Sequence, residues 1–214
     1  MTTPTTVKPI VYPDSDGQPM ADNTKQFEEL TALKQGCEAA FAAQESVFVA
    51  GDLLWYPVEG QPATRLAPDV LVVFGRPKGH RGSYKQWDEE NIAPQVVFEI
   101  LSPGNRFGEM LRKLEFYEPH GVQEYYVYDP DSFAFTVLWR SPEGRLVPQE
   151  ETTDIASPLL GLRFLAPGDA PWVIYHTDGE RMKGYQELRN ERNELREQVS
   201  QLQARLRELG IENP

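Results

Sequence analysis

A single cysteine, Cys37, stands among 214 residues, so neither an intramolecular disulfide nor a multi-cysteine zinc site can form. A lone cysteine of this kind reads as a small buried apolar residue. Histidine is nearly as scarce. His80, His120 and His176 do not cluster, and neither a Ser-His-Asp arrangement nor an HExxH motif can be read. No phosphate-cradling glycine motif occurs; Gly104 stands alone between a strand and a helix. No apolar run approaches the roughly 20 residues that span a bilayer, and Met1–Pro9 has no apolar signal core. The expected location is cytoplasmic. Positive charge is short as well. A net charge of −12 counts against a general coat for nucleic acid, whose affinity comes from neutralising phosphates. It counts much less against an enzyme that meets DNA at one cleft.

What is present suits one globular domain with polar appendages: 40% of residues are apolar and 25% charged. Residues 1–22 carry Pro4, Pro9, Pro13, Pro19 and Gly17 and read as an irregular leader. Asn23 or Thr24 then caps a helix running to about residue 44, with Phe27, Leu30, Leu33, Lys34, Cys37 and Phe41 at near-helical spacing. Strands are expected at Val47–Ala50 and Leu53–Tyr56. DVLVVF, Asp69–Phe74, lies between Pro68 and Gly75; QVVFEIL, Gln95–Leu101, lies between Pro94 and the Ser-Pro-Gly turn at 102–104. Both are too short for helices of that apolarity and read as central strands. A helix at Phe107–Glu118 follows, stopped by Pro119 and Gly121. Tyr125–Asp129 and Phe133–Trp139 form an antiparallel pair, and shorter strands near 162–165 and 172–175 finish the body. The fold class is therefore α/β with an α+β-like mixed sheet, with boundaries at 1–22, 23–176 and 177–214.

The last segment changes character. Leu188, Leu195, Leu202 and Leu209 stand seven apart, Val199 and Leu206 fill intervening positions, and Arg192 is the polar exception. About three heptads result, which suit either a coiled coil that makes a homodimer or a helix laid on its own domain.

Two carboxylates occupy apolar strands, where they cost several kcal/mol unless paired, hydrogen-bonded or bound to metal. Asp69 opens the first strand and Glu99 is the fifth residue of QVVFEIL. If these strands pair antiparallel, the two meet at one end of the sheet. Two hard oxygen donors there suit Mg²⁺ or Mn²⁺. The plainer alternatives are an ion pair of Glu99 with Arg106 or Arg112, and a Pro-Asp turn at Asp69.

Pro68-Asp69, the run Phe98 to Pro103, Glu109…Lys113…Tyr117, Gly121 to Tyr126 and Asp129-Pro130 together resemble the Uma-type restriction-endonuclease family of the PD-(D/E)XK nuclease superfamily. The resemblance covers roughly residues 25–165. It implies a restriction-endonuclease-like core that hydrolyses DNA phosphodiester bonds with a divalent metal. By the same resemblance Asp69 and Glu99 are the metal-ligating side chains, with the main-chain oxygen of Ile100 beside them. The superfamily lysine belongs two residues after Glu99, where this chain has Leu101. Lys113, which matches the family's helix lysine as Glu109 matches its acid, is the replacement. Spacing alone equally allows Glu109 and Lys113 a surface i,i+4 ion pair. Accessory acids are Asp52 and one glutamate of the first helix, drawn from Glu28, Glu29, Glu38 and Glu45. Arg76, Lys78, Arg81 and Lys85, in the acid-free stretch Gly75–Trp87, are candidate DNA contacts or an ordinary solvated loop. They lie about 15–20 Å from the carboxylates at ~3.3 Å per residue. The rival function is a catalytically silent, nucleic-acid-associated binding and oligomerisation module of the same fold. Leu101 and the acidic charge favour it.

Overall fold

Asn23 begins the first helix in the manner its side chain allows, accepting the N–H of Gln26 at 2.9 Å and so satisfying a donor the helix itself leaves free. In this computed structural model, which describes residues 9–103 and 107–209, the helix is α1, Thr24–Ala40. Leader residues 1–8, Gly104 and Arg106 lie outside the described residues; 9–22 contain neither helix nor strand. α1 ends four residues short of the expected boundary, where the N–H groups of Ala42 and Gln44 close tighter turns onto Ala39 and Phe41. Glu45 therefore lies beyond it. The inward stripe also differs by one residue. Leu30, Leu33, Cys37 and Phe41 are buried, but Phe27 is 48% exposed and Gln26 takes the inward place.

Five short strands follow, β1 Val47–Gly51, β2 Trp55–Tyr56, β3 Val70–Phe74, β4 Tyr84–Lys85 and β5 Val96–Ile100, of which β1, β3 and β5 are largely apolar runs bounded by proline, glycine or turns. After α2, Phe107–Tyr117, come β6 Glu124–Tyr128, β7 Phe135–Arg140, β8 Leu146–Pro148, β9 Asp154–Ala156, β10 Arg163–Leu165 and β11 Val173–Tyr175. The sequence pattern does not single out β4, β8 and β9. They have two or three residues each, too few to display a period. A mixed six-stranded sheet has the order β1-β3-β5-β6-β7-β8, parallel only between β5 and β6. α2 is the crossover that a parallel pair requires. β9, β10 and β11 form a second sheet, and β2 pairs with β4.

Helices on both faces explain the near-continuous apolarity of β3, β5 and β6. Leu71, Val73, Val97, Tyr125 and Val127 share one core cluster with Tyr117, against which Met110 and Leu114 of α2 pack. α1 packs against β1, β3 and β5, and it comes so close to Gly51 that a Cβ there would meet Leu30 at 3.3 Å. On the sheet side of α1 lies Cys37, fully buried, its thiol pushed up to about 12 by burial, with Glu38 adding to the shift. Cys37 should therefore resist thiol reagents in the native protein and react fully only after denaturation. Rapid labelling of the folded chain would contradict this burial.

Residues 9–181 form one compact unit and 182–209 a second. The second contains α3, Tyr185–Glu208, which buries none of its residues. No described helix is long and apolar enough to cross a membrane.

Candidate active site

Strand register brings the two carboxylates together. β3 and β5 run antiparallel with Val70 opposite Phe98, so Asp69, one residue earlier, comes opposite Glu99, one residue later. Side chains on one strand alternate between faces. Glu99 therefore follows Val97 onto the face covered by α2, and Asp69 precedes Leu71 onto it. Asp69 is not merely a turn residue capping its own loop: its Oδ2 accepts the N–H of Ile100 at 2.6 Å, tying one strand end to the other.

Glu99 is 1% exposed, a position an unpaired carboxylate could not hold without a cost of several kcal/mol. Its partners come from α2. Lys113 Nζ donates to Oε2 at 2.6 Å, and the hydroxyl of buried Tyr117 donates to Oε1. Arg112, the arginine suggested by proximity in sequence, is exposed instead. Nor does Lys113 form the surface pair with Glu109. At 16% exposure it points inward to the strand, and Glu109 contributes only a more distant favourable charge. Burial works against the lysine's charge, but Glu99 and Asp69 outweigh it and hold Lys113 above the ordinary lysine range. The carboxyl of Asp69 moves the other way from a paired acid. Burial and the charge of Glu99 push it well above the ordinary range despite Lys113 and the Ile100 N–H. Tyr117 stands one turn from Lys113, within the same Glu109…Lys113…Tyr117 run that carries the family resemblance.

The contribution of α1 is not a glutamate. Glu28 and Glu38 are exposed, Glu38 pairing with Lys34, and Glu29 accepts the indole N–H of Trp172 at 3.0 Å. Gln26 reaches the site instead: its Nε2 donates to the main-chain oxygen of Ile100 at 2.8 Å, and its Oε1 accepts the N–H of Asp22 at 2.9 Å. Asp22 in turn accepts from Ser102 at 2.6 Å, so the leader is tied to the end of β5. Nothing in the spacing distinguishes Gln26 from its neighbours; only its 7% exposure does.

A cleft of about 510 Å³ opens over Asp69 and Lys113, with Asp52, Glu109, Arg65 and Arg112 among its walls. Asp52 has a left-handed backbone (φ 47°), and burial, then Asp16 and Glu99, raise its carboxyl above the usual range. Leu101 packs partly buried against the core cluster and takes no part in the polar group. The four basic loop residues are elsewhere and are engaged. Arg76 and Arg81 donate to Glu89 at 2.9 and 2.5 Å, Lys78 donates to the Ala42 carbonyl, and Lys85 lies over the Tyr12 ring. The acid that binds both arginines follows just after the acid-free stretch, brought back by a 3-10 turn at Gln86–Glu89.

Among the described residues no three His, Cys, Asp or Glu side chains converge as a preformed metal cage. The donor set nonetheless fits a hard cation of the Mg²⁺ type, which needs only one or two carboxylates and otherwise keeps its waters. Asp69 and Glu99 repel each other through low-dielectric surroundings, and a divalent ion would reverse that repulsion. Nearby, the buried hydroxyl of Tyr125 has no hydrogen-bond partner among the described residues and lies within the field of Glu99, Asp69 and Glu109. Such an orphaned group suits contact with a hydrated ion.

A crystal structure of a "putative nuclease belonging to DUF820" from Anabaena variabilis ATCC 29413 matches 69% of this chain and 81% of its own, at 18% identity and a TM-score of 0.48. No curated protein matches. The model of the Uma2 family, described as "Putative restriction endonuclease", matches residues 17–166, which include the whole polar group around Glu99. The chain belongs to that family.

Proposed function

We propose that the chain is a metal-dependent endonuclease that hydrolyses DNA phosphodiester bonds. The observation that carries this reading is the meeting of Asp69 and Glu99 on adjacent strands beside Lys113, with Asp69 and Lys113 lining a cleft. Asp69, Glu99 and the main-chain oxygen of Ile100 are the groups to hold Mg²⁺ or Mn²⁺, which would supply Lewis acidity at the scissile phosphate. The protein's own residues do the rest. Lys113, kept cationic between the two acids, is placed to donate to a phosphate oxygen or to orient the attacking water, stabilising charge as it develops. Tyr117 fixes the Glu99 carboxylate, while Gln26 fixes the end of β5. Asp52 and Glu109 are accessory acids on the cleft wall. DNA contact by the basic loop falls first to Lys78 and Lys85, because Arg76 and Arg81 must leave Glu89 to take part. A homodimer through α3 is the proposed assembly.

The packing of Leu101 into the core favours a second reading, a silent module of the same fold. A plasmid-nicking assay with Mg²⁺ or Mn²⁺, with calorimetry of Mn²⁺ binding, separates the two. The nuclease reading expects cleavage and binding in the natural chain, both lost in Asp69→Ala and Glu99→Ala. Cleavage that persists in both variants would overturn the site, and absence of both cleavage and binding would leave the silent module.

A further inference from the structure

α3 carries an apolar seam that is narrow and open to solvent. In heptad terms Leu188, Leu195, Leu202 and Leu209 occupy d, and Tyr185, Arg192, Val199 and Leu206 occupy a. Leu188, Leu195 and Leu202 are 52%, 54% and 63% exposed. A helix that docks on a globular surface needs apolar e or g positions as well, widening its stripe. Here e holds Arg189, Arg196 and Gln203, and g holds Glu191, Gln198 and Arg205, all polar. The seam therefore has the width of another helix. Its strict seven-residue repeat matches a left-handed supercoil, not a straight helix, which would drift about 20° per heptad.

We infer that the occupant is α3 of a second copy, aligned parallel and in register. The charge placed around Arg192 favours this arrangement. In a parallel pair each g position meets the e position of the partner's next heptad, so Glu191 faces the partner's Arg196 on both sides of the seam, and Gln198 faces the partner's Gln203. Arg192, the one charged residue in the seam, then meets the partner's Arg192 across it, and the partner's Glu191 beside each arginine offsets that repulsion. The antiparallel alternative also gains an attraction on both sides of the seam, between Glu191 and the partner's Arg205. It sets Arg196 against the partner's Arg196, however, and leaves Arg192 against the partner's Leu202. Val199 at a with leucine throughout d favours two strands over three. The contact Glu191 makes within its own chain, to Lys183 at 2.7 Å, is half-exposed and readily exchanged. Chain connectivity then tethers two copies of the preceding unit to the same end of the helix pair. The inference gives the proposed homodimer its interface and orientation, and it does not depend on the nuclease reading.

Sedimentation equilibrium of the full chain tests it. The natural chain is expected to be a dimer, and Leu195→Glu/Leu202→Glu a monomer. Glu191→Arg and Arg196→Glu should each weaken the dimer by about tenfold, and the double exchange should bind more tightly than Glu191→Arg alone, because the e–g pairing is reversed although Arg192 loses its neighbouring acid. Leu188→Cys should cross-link to itself on oxidation, since Cys37 is buried and a parallel register brings the two Leu188 positions together. A natural chain that is monomeric, or a dimer indifferent to the leucine variant, overturns the interface. A charge exchange that dimerises no more tightly than Glu191→Arg alone, together with no Leu188→Cys cross-link, overturns the parallel orientation. The nicking assay is read separately, so loss of one conclusion leaves the other standing.

Discussion

Asp69→Asn is expected to abolish DNA cleavage while leaving the metal-free protein as stable as before, or more so. The two effects have opposite signs because one carboxylate serves two balances. For activity, the variant removes a formal charge from the pair that would hold the cation, and the loss of one such electrostatic element lowers rates on the order of 10²–10³. For stability, Asp69 is enclosed beside buried Glu99, and both burial and that charge oppose its ionisation. Asparagine keeps an oxygen to accept the Ile100 N–H, the one hydrogen bond the Asp69 side chain makes among the described residues, and ends the repulsion. Chemical denaturation without metal, set beside the nicking rate, checks both halves. A variant that loses activity together with much of its stability would mean that Asp69 is chiefly a structural cap.

Lys113→Met should be the most destabilising single change at the site. It leaves Glu99 buried with its cation gone, and breaking one side of a buried pair costs about 3–5 kcal/mol. Methionine fills much of the same volume, so little of this would come from a cavity. Adding Glu99→Gln should recover most of the loss, because glutamine still accepts from Tyr117 and no longer carries a charge. The double variant should nevertheless remain inactive. Urea denaturation of the four proteins gives the coupling directly; losses that simply add would mean that Lys113 and Glu99 do not form the pair described. Acidity alone should not mimic the lysine change. Lys113 has its folded pKa raised above the ordinary 10.5, so its contribution is complete below that value and is lost only as pH rises through the folded one.

The matching family covers residues 17–166, and much of that region's architecture follows from local chemistry. The apolar runs containing Val70–Phe74 and Val96–Ile100 are bounded by proline, glycine or a turn and are too short for helices, so they become strands wherever they are placed. Once two such strands pair antiparallel, the opposition of Asp69 and Glu99 is a matter of counting residues. The heptad of α3 is equally local, since a seven-residue repeat is a property of the chain itself.

Partner choice within the site is a property of packing. Along α2, Lys113 has Glu109 one turn away, and local spacing offers that pair first. Docking of α2 on the sheet turns the lysine inward and gives it Glu99, fourteen residues back in sequence. The same physics selects Gln26 over the glutamates of α1. One residue rotates a helix by about 100°, so a shift of the buried stripe from Phe27 to Gln26 decides which side chain meets the Ile100 carbonyl. Arg76 and Arg81, candidate DNA contacts in an acid-free stretch, are bound by Glu89 because a short turn folds it back over them. By itself, then, the sequence determined the central strands, the carboxylate pair and the seam. Tertiary packing alone decided which charges meet, because buried ionic contacts depend on which faces the helices present to the sheet.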